Sequence, residues 1–161
     1  MYSKPLWLAA IALIPEAVTA KHFEVSLMTQ LPIHTVQAYL DHLQAGDTAG
    51  LISTFEDDGV VHSPFLGTMP ASEFFEKLAQ ASSKSVITLI DLFVSVQASS
   101  VVRVAAYFRY DWTLNDGRSV DFTCVDVFSF RPGSSRIHEM QIVYDTHPLR
   151  EKVGDKYAPD R

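Results

Sequence analysis

The first candidate for chemistry in this chain is an acid set among aromatic and β-branched residues. In FTCVDVFSF (122–130), Asp126 has Phe122, Cys124, Val125, Val127, Phe128 and Phe130 around it, a composition that forms strands. Ionised carboxylates avoid a core unless paired, hydrogen-bonded or kept protonated. Asp126 is therefore an edge residue reaching water, a structural hydrogen-bond hub, or a working group in a pocket. His62 of VVHSPF (60–65) could serve as a general base, the usual role of a histidine side chain, whereas the adjacent Ser63 cannot abstract a proton unaided. Arg109 and Asp111 read either as recognition of a polar substituent or as a cross-face ion pair. Asp145, Thr146 and His147 follow the last apolar run, where they either act or end the strand and cap the tail.

Other chemistries are disfavoured. Cys124 is the only cysteine, which excludes an internal disulfide and a cysteine-based zinc site. Its apolar neighbours mark it as a small core residue. The six histidines show no paired ligand spacing, so no metal is expected. Glycine-rich phosphate loops are absent and no cofactor is expected. With a net charge of -6 and no basic stripe, nucleic acid is not an expected partner.

These residues must be positioned by one domain, which is what 161 residues suggest. The segment 1–27 stands apart. It carries Lys4, an apolar run from Leu6 to Ile14, and a Val18-Thr19-Ala20 ending. It reads as a secretory signal, implying a secreted or periplasmic protein. Alternatively Met28 is the true start, 1–27 an upstream extension, and the protein cytoplasmic. The apolar run is too short to span a bilayer, so no integral membrane segment is expected. A domain over 28–147 and a polar tail over 148–161, frayed or a short helix, complete the division.

Ile33, Val36, Tyr39, Leu40 and Leu43 recur with helical period; Gly46 suits the C-terminal cap and Asp47 the next N-cap. A second helix is expected to carry Leu51, Ile52 and Phe55 and to end in Glu56-Asp57-Asp58-Gly59. A short strand then spans Val60 to Ser63, and a third helix Ala71–Ala81. From Ser85 onward four strand-like segments are separated by turn residues. Helices followed by a strand meander give an α+β fold, with helices on one face of a strongly curved antiparallel sheet.

Asp116-Gly117 is a hairpin signal. A two-residue turn there sets Tyr107 opposite Asp126, Arg109 opposite Cys124 and Asp111 opposite Phe122. Those six would share one face with Phe128, a mixed face with the composition of a ligand pocket. The other face would carry Phe108, Tyr110 and Trp112 and form a homodimer surface. A three-residue loop would shift everything by one.

The layout resembles the nuclear transport factor 2-like (NTF2-like) superfamily, and within it the SnoaL-like group related to ketosteroid isomerase. The match rests on TVQAYLDHLQAGD (35–47), FEDDGVVHSPF (55–65), LGTMPASEFFEKL (66–78), DVFSF and RIHEMQIVYD, across roughly residues 32–146. The resemblance implies a cone of helices and curved sheet around a pocket, and often a dimer. It also implies that Tyr39 falls on the oxyanion-hole tyrosine of the isomerase and Asp126 on its protonated acid, the pair that makes up that enzyme's oxyanion hole. Ser63 stands where the isomerase has its general-base aspartate, so that reaction is not implied. Ile142 occupies a catalytic acid position of related epoxide hydrolases, and Met140, Ile142 and Tyr144 would line the pocket.

Two functions follow as expectations. The first is a cofactor-independent enzyme of isomerase, cyclase or dehydratase type, acting on a small apolar or polycyclic carbonyl compound. Asp126 and Tyr39 would donate hydrogen bonds, with His62 and Ser63 near the reacting atom. The second is a non-catalytic dimeric binding or scaffold protein.

Overall fold

The computed structural model describes residues 32–95 and 101–154; the signal-like segment 1–27 lies outside them. Helix α1 covers residues 32–45 and buries Val36, Tyr39, Leu40 and Leu43. It ends in a glycine cap: Gly46 has φ 67°, its N–H reaches Leu43 O at 3.3 Å, and Asp47 N–H reaches His42 O at 2.9 Å. That 6→1 and 5→2 pairing satisfies carbonyls the helix leaves open. Asp47 then caps α2 (Thr48–Ser53) by accepting from Gly50 N–H at 2.9 Å.

The second helix stops earlier than its apolar spacing suggests. Thr54 closes it with both its N–H and its hydroxyl on Leu51 O, and the chain enters β1 (Phe55–Ser63). Phe55 and the acids after it are strand residues. Arg131 bridges Glu56 and Asp58, and Arg136 holds Asp57, so ion pairs to the loop at 131–136 stand where a helix end was expected. A bulge before Val60 absorbs the extra residues.

Strand β2 (Gly67–Pro70) and helix α3 (Ala71–Ala81) follow, then β3 (Ser82–Val94), β4 (Val102–Leu114), β5 (Ser119–Phe130), β6 (Ile137–Tyr144) and helix α4 (His147–Val153). The strands form one curled, unclosed sheet in the order β2-β1-β6-β5-β4-β3. Neighbours run antiparallel except β1 and β6, which are parallel. Helices α1 and α3 pack Tyr39 and Phe75 onto the concave face, where Tyr39 meets Phe128, Phe75 and Phe55 at ring-centroid distances of 4.9, 6.0 and 6.3 Å.

The β4–β5 hairpin has a three-residue loop, Asn115-Asp116-Gly117. Gly117 N–H reaches Leu114 O at 3.0 Å, and Leu114 N–H reaches Arg118 O at 2.8 Å. Only Gly117 takes a positive φ, 86°. Asp116 stays out of that region, its carboxylate accepting Arg118 N–H at 3.0 Å. The loop is thus a turn closed by a bulge glycine rather than a two-residue type I′ turn. Ala106 therefore opposes Asp126, Phe108 opposes Cys124 and Tyr110 opposes Phe122. Every β4 side chain lies on the face opposite to the one expected.

Candidate functional site

The register decides the site. Phe108, Tyr110 and Trp112, expected on a dimer surface, face inward beside Phe122, Cys124 and Asp126 and line a cavity of about 80 Å³. Tyr107, Arg109 and Asp111 lie on the outer face. Arg109 there donates to Asp111 at 2.9 Å and to Asp121 at 3.1 Å, neutralising two acids that sit directly opposite each other on β4 and β5. Arg109 and Asp111 are an outer-face ion pair, and Tyr107 is half-buried beside them, away from the pocket side.

Helix α1 brings Tyr39 and strand β5 brings Asp126 to the wall of the cavity. The Tyr39 hydroxyl donates to Asp126 Oδ2 at 3.1 Å. Asp126 is only 3% exposed, and its Oδ1 is buried without a partner. Burial pushes the carboxyl up to about 7, against the lowering effect of the Tyr39 hydrogen bond. Burial likewise raises Tyr39, with Asp126 the next cause. Burial thus outweighs the Tyr39 hydrogen bond and favours the protonated carboxyl relative to a free aspartate. The pair does not present two free donors side by side. Tyr39 spends its hydrogen on the acid, and the free atom is Asp126 Oδ1.

Ser63 ends β1 on the inner face and lines the same cavity. Its Oγ accepts the N–H groups of Phe65 at 3.2 Å and Leu66 at 3.1 Å, the local turn that a serine before a proline supports. His62 alternates to the other side, where Nδ1 shares a 2.9 Å hydrogen bond with Thr68 Oγ1 and Nε2 lies 3.0 Å from Glu139 Oε1. The expectation that His62 stands near the reacting atom is corrected by this alternation.

Ile142 and Tyr144 project from β6 onto the cavity wall, Tyr144 stacking on Phe122 at 4.5 Å. Phe128 and Met140 share their strands' inward side but are fully buried, one step further into the core behind Tyr39. They are packing residues of the cluster that holds Tyr39, not wall residues.

Several wall residues were missed by sequence reasoning. Tyr110 and Trp112 are oriented by hydroxyls of β3: Ser85 Oγ lies 2.9 Å from the Tyr110 hydroxyl, and Trp112 Nε1–H donates to Ser82 Oγ at 2.8 Å. Burial pushes the Tyr110 hydroxyl up to about 12, and burial raises the Cys124 thiol well above its ordinary value, so neither is a nucleophile at neutral pH. Leu149 of α4 packs with Leu114 and Val120 and closes part of the wall. Its neighbours are polar, which hid it; the correct loop length would have found the β4 residues.

Glu56, Asp58 and His138 bring potential ligand atoms within 4.8 Å of one another. They come from β1 and β6, so no sequence spacing reveals them. Arg131 already lies on both carboxylates, and the cluster is an ion-pair network. His147 caps nothing catalytic: its N–H bonds Asp145 Oδ1 at 2.9 Å and its ring pairs with Glu151. Among the described residues no helix is long and apolar enough to cross a membrane.

Comparison with known proteins adds the ancestry of this arrangement. A family model for the SnoaL-like domain matches residues 36–140. Among solved structures, a protein with a ketosteroid isomerase-like fold from Catenulispora acidiphila, in complex with trimethylamine, superposes with a TM-score of 0.62. It is 15% identical, over 78% of this chain and 97% of that one. A hexachlorocyclohexane dehydrochlorinase, LinA type 2, gives 0.63 at 13% identity, over 74% and 87%. SalBIII, an epoxide hydrolase/cyclase-like enzyme of pyran ring formation in salinomycin, gives 0.61 at 19%, over 74% and 94%. At these identities the likeness is one of fold, the NTF2-like cone. No curated protein matches the chain significantly.

Proposed function

The chain belongs to the SnoaL-like domain family, and on that footing we propose that its cavity binds a small, uncharged, mainly apolar carbonyl compound and exchanges a proton with it through Asp126. One observation carries this reading: Asp126 lines an apolar cavity, and its Oδ1 is buried without a hydrogen-bond partner. Its carboxyl is poised near pH 7, where it can take a proton from carbon next to a carbonyl and return it elsewhere. Tyr39 holds the carboxyl in place and stabilises its ionised form through the Oδ2 hydrogen bond. Burial of a second negative charge beside Asp126 would be costly, and the described wall residues include no lysine, arginine or histidine; a neutral ligand fits. A cavity of about 80 Å³ suits a five- or six-membered ring more readily than a polycyclic compound. The dehydrochlorinase and the epoxide hydrolase/cyclase-like enzyme use the same fold for small-molecule chemistry, which supports the enzyme reading without naming a reaction.

The test is deuterium exchange. In D₂O the protein should accelerate wash-in at the carbons flanking the carbonyl of cyclopentanone, read by NMR, and Asp126→Asn should return the rate to background. Wild-type protein that binds the ketone but exchanges nothing would sink the proton-transfer reading. It would leave the second one, a ligand-binding protein, which is favoured by Asp126 being the only carboxyl, with no lysine, arginine or histidine, among the described wall residues.

The same reading includes a homodimer formed through the outer face of the sheet. Phe93 of β3 and Val143 of β6 are 52% and 53% exposed. Their partners Ala105 and Val125 fix both on that outer face, which we take as the association surface.

A further inference from the structure

Apart from Asp126, Ser63 is a polar group of the cavity whose hydroxyl hydrogen is uncommitted. Its Oγ has two lone pairs and one hydrogen. The Phe65 and Leu66 N–H groups occupy both lone pairs, so the hydroxyl can act only as a donor. Ser63 is 9% exposed, and it lines the same cavity as Asp126. The turn that binds Oγ therefore also prevents Ser63 from accepting a hydrogen bond from a ligand. We propose that Ser63 is the oxygen-anchoring residue of the pocket, donating its hydroxyl hydrogen to the carbonyl oxygen of the ligand whose proton Asp126 takes. This rests on the carbonyl-ligand reading and adds a specificity to it. The ligand must present an acceptor oxygen to Ser63 while an acidic C–H faces Asp126. A donor-only group, such as an amine cation, is excluded at the Ser63 end. In the reaction the C–H bond electrons move into the carbonyl, the proton goes to Asp126 Oδ1, and the oxygen gaining charge strengthens its bond to Ser63.

The experiment uses the full chain, with two probes titrated against the Trp112 indole N–H signal in NMR. Trp112 lines the cavity and its N–H is held by Ser82, so it reports occupancy directly. Cyclopentanone carries the acceptor; cyclopentene is nearly the same shape without it. Ser63→Ala should weaken cyclopentanone about five-fold, the scale of one neutral hydrogen bond, and leave cyclopentene unchanged. Ser63→Thr, which keeps the hydroxyl, should restore the ketone preference. Equal ketone affinity in wild type and Ser63→Ala, with Asp126→Asn weakened, would overturn the donor role alone. Parallel loss of both probes in Ser63→Ala would reduce Ser63 to a loop-folding residue and overturn it too. Failure of the wild-type protein to bind either probe would overturn the ligand reading itself.

Discussion

Tyr39 on the first helix donates its hydroxyl hydrogen to Asp126 Oδ2 at 3.1 Å, across 87 residues of sequence. The bond has two effects of opposite reach. It ties α1 to β5 inside the aromatic cluster of Phe55, Phe75 and Phe128, and it leaves Oδ1 as the carboxyl atom without a hydrogen-bond partner. A helix that packs the core thereby also aims the acid. The first consequence is thermodynamic.

A carboxyl at about 7 in the folded protein but near 3.9 unfolded keeps its proton over an interval in which the unfolded chain has lost it. The folded state then binds more protons, so stability must fall as pH rises from about 4 to about 7. The loss is on the order of a few kcal/mol at most. Asp47, Asp58 and Asp116 act oppositely: their lowered carboxyls contribute stability that is lost only as pH falls through the acid range. Urea unfolding at pH 5 and pH 8 should therefore show a drop for the wild type and a much flatter response for Asp126→Asn. An identical drop in both would refute a protonated, buried Asp126.

Removing the donor separates its two effects. Tyr39→Phe keeps the ring against Phe128 and Phe75 but deletes the hydrogen bond that lowers Asp126. The Asp126 carboxyl, followed by ¹³C NMR, should titrate above its wild-type midpoint. Deuterium exchange at pH 7 should slow, because less of the base form is present. A midpoint that stays put or falls would mean the Tyr39 bond does not favour the carboxylate.

Much of this was legible in the residues. Tyr39, Leu40 and Leu43 mark the inward stripe of α1, Gly46 and Asp47 mark its end, and Ala71–Ala81 is helical as its spacing predicts. Asp126 in its apolar strand stood out because an isolated acid there needs a reason. What failed was parity. A single residue of loop length moved Phe108, Tyr110 and Trp112 from the outer face to the cavity and Tyr107, Arg109 and Asp111 the other way. The Asp-Gly pair signals a hairpin but not how many residues precede it in the loop. Asn115 decides that by bonding its N–H to Ala81 O at 3.0 Å, a tertiary contact that no local pattern contains. Leu149 was hidden for the same kind of reason, since its burial depends on Leu114 and Val120.

The loop itself can be tested. Gly117 sits at φ 86° with open space where a Cβ would lie, so Gly117→Ala meets no neighbour and pays only in backbone strain. It should lower stability by about 1 kcal/mol. Urea midpoints with unchanged m-values would report this. A neutral substitution would argue that the loop relaxes to another turn, and the β4 register would then be open to the one-residue shift.

The outer face gives the last test. Phe93 and Val143 are exposed on the side of the sheet away from the cavity, so a lysine at either position disturbs no core contact and should leave the monomer's fold intact. Between two copies the same lysines would bury charge against apolar surface and bring like charges together, each of which opposes association. Sedimentation should therefore find a dimer for the wild type and a monomer for Phe93→Lys combined with Val143→Lys. Deuterium exchange should persist in the monomer, because the cavity is lined within one chain. If the double variant sediments as the wild type does, association through this face is wrong. If exchange disappears along with the dimer, the cavity depends on the partner for its shape.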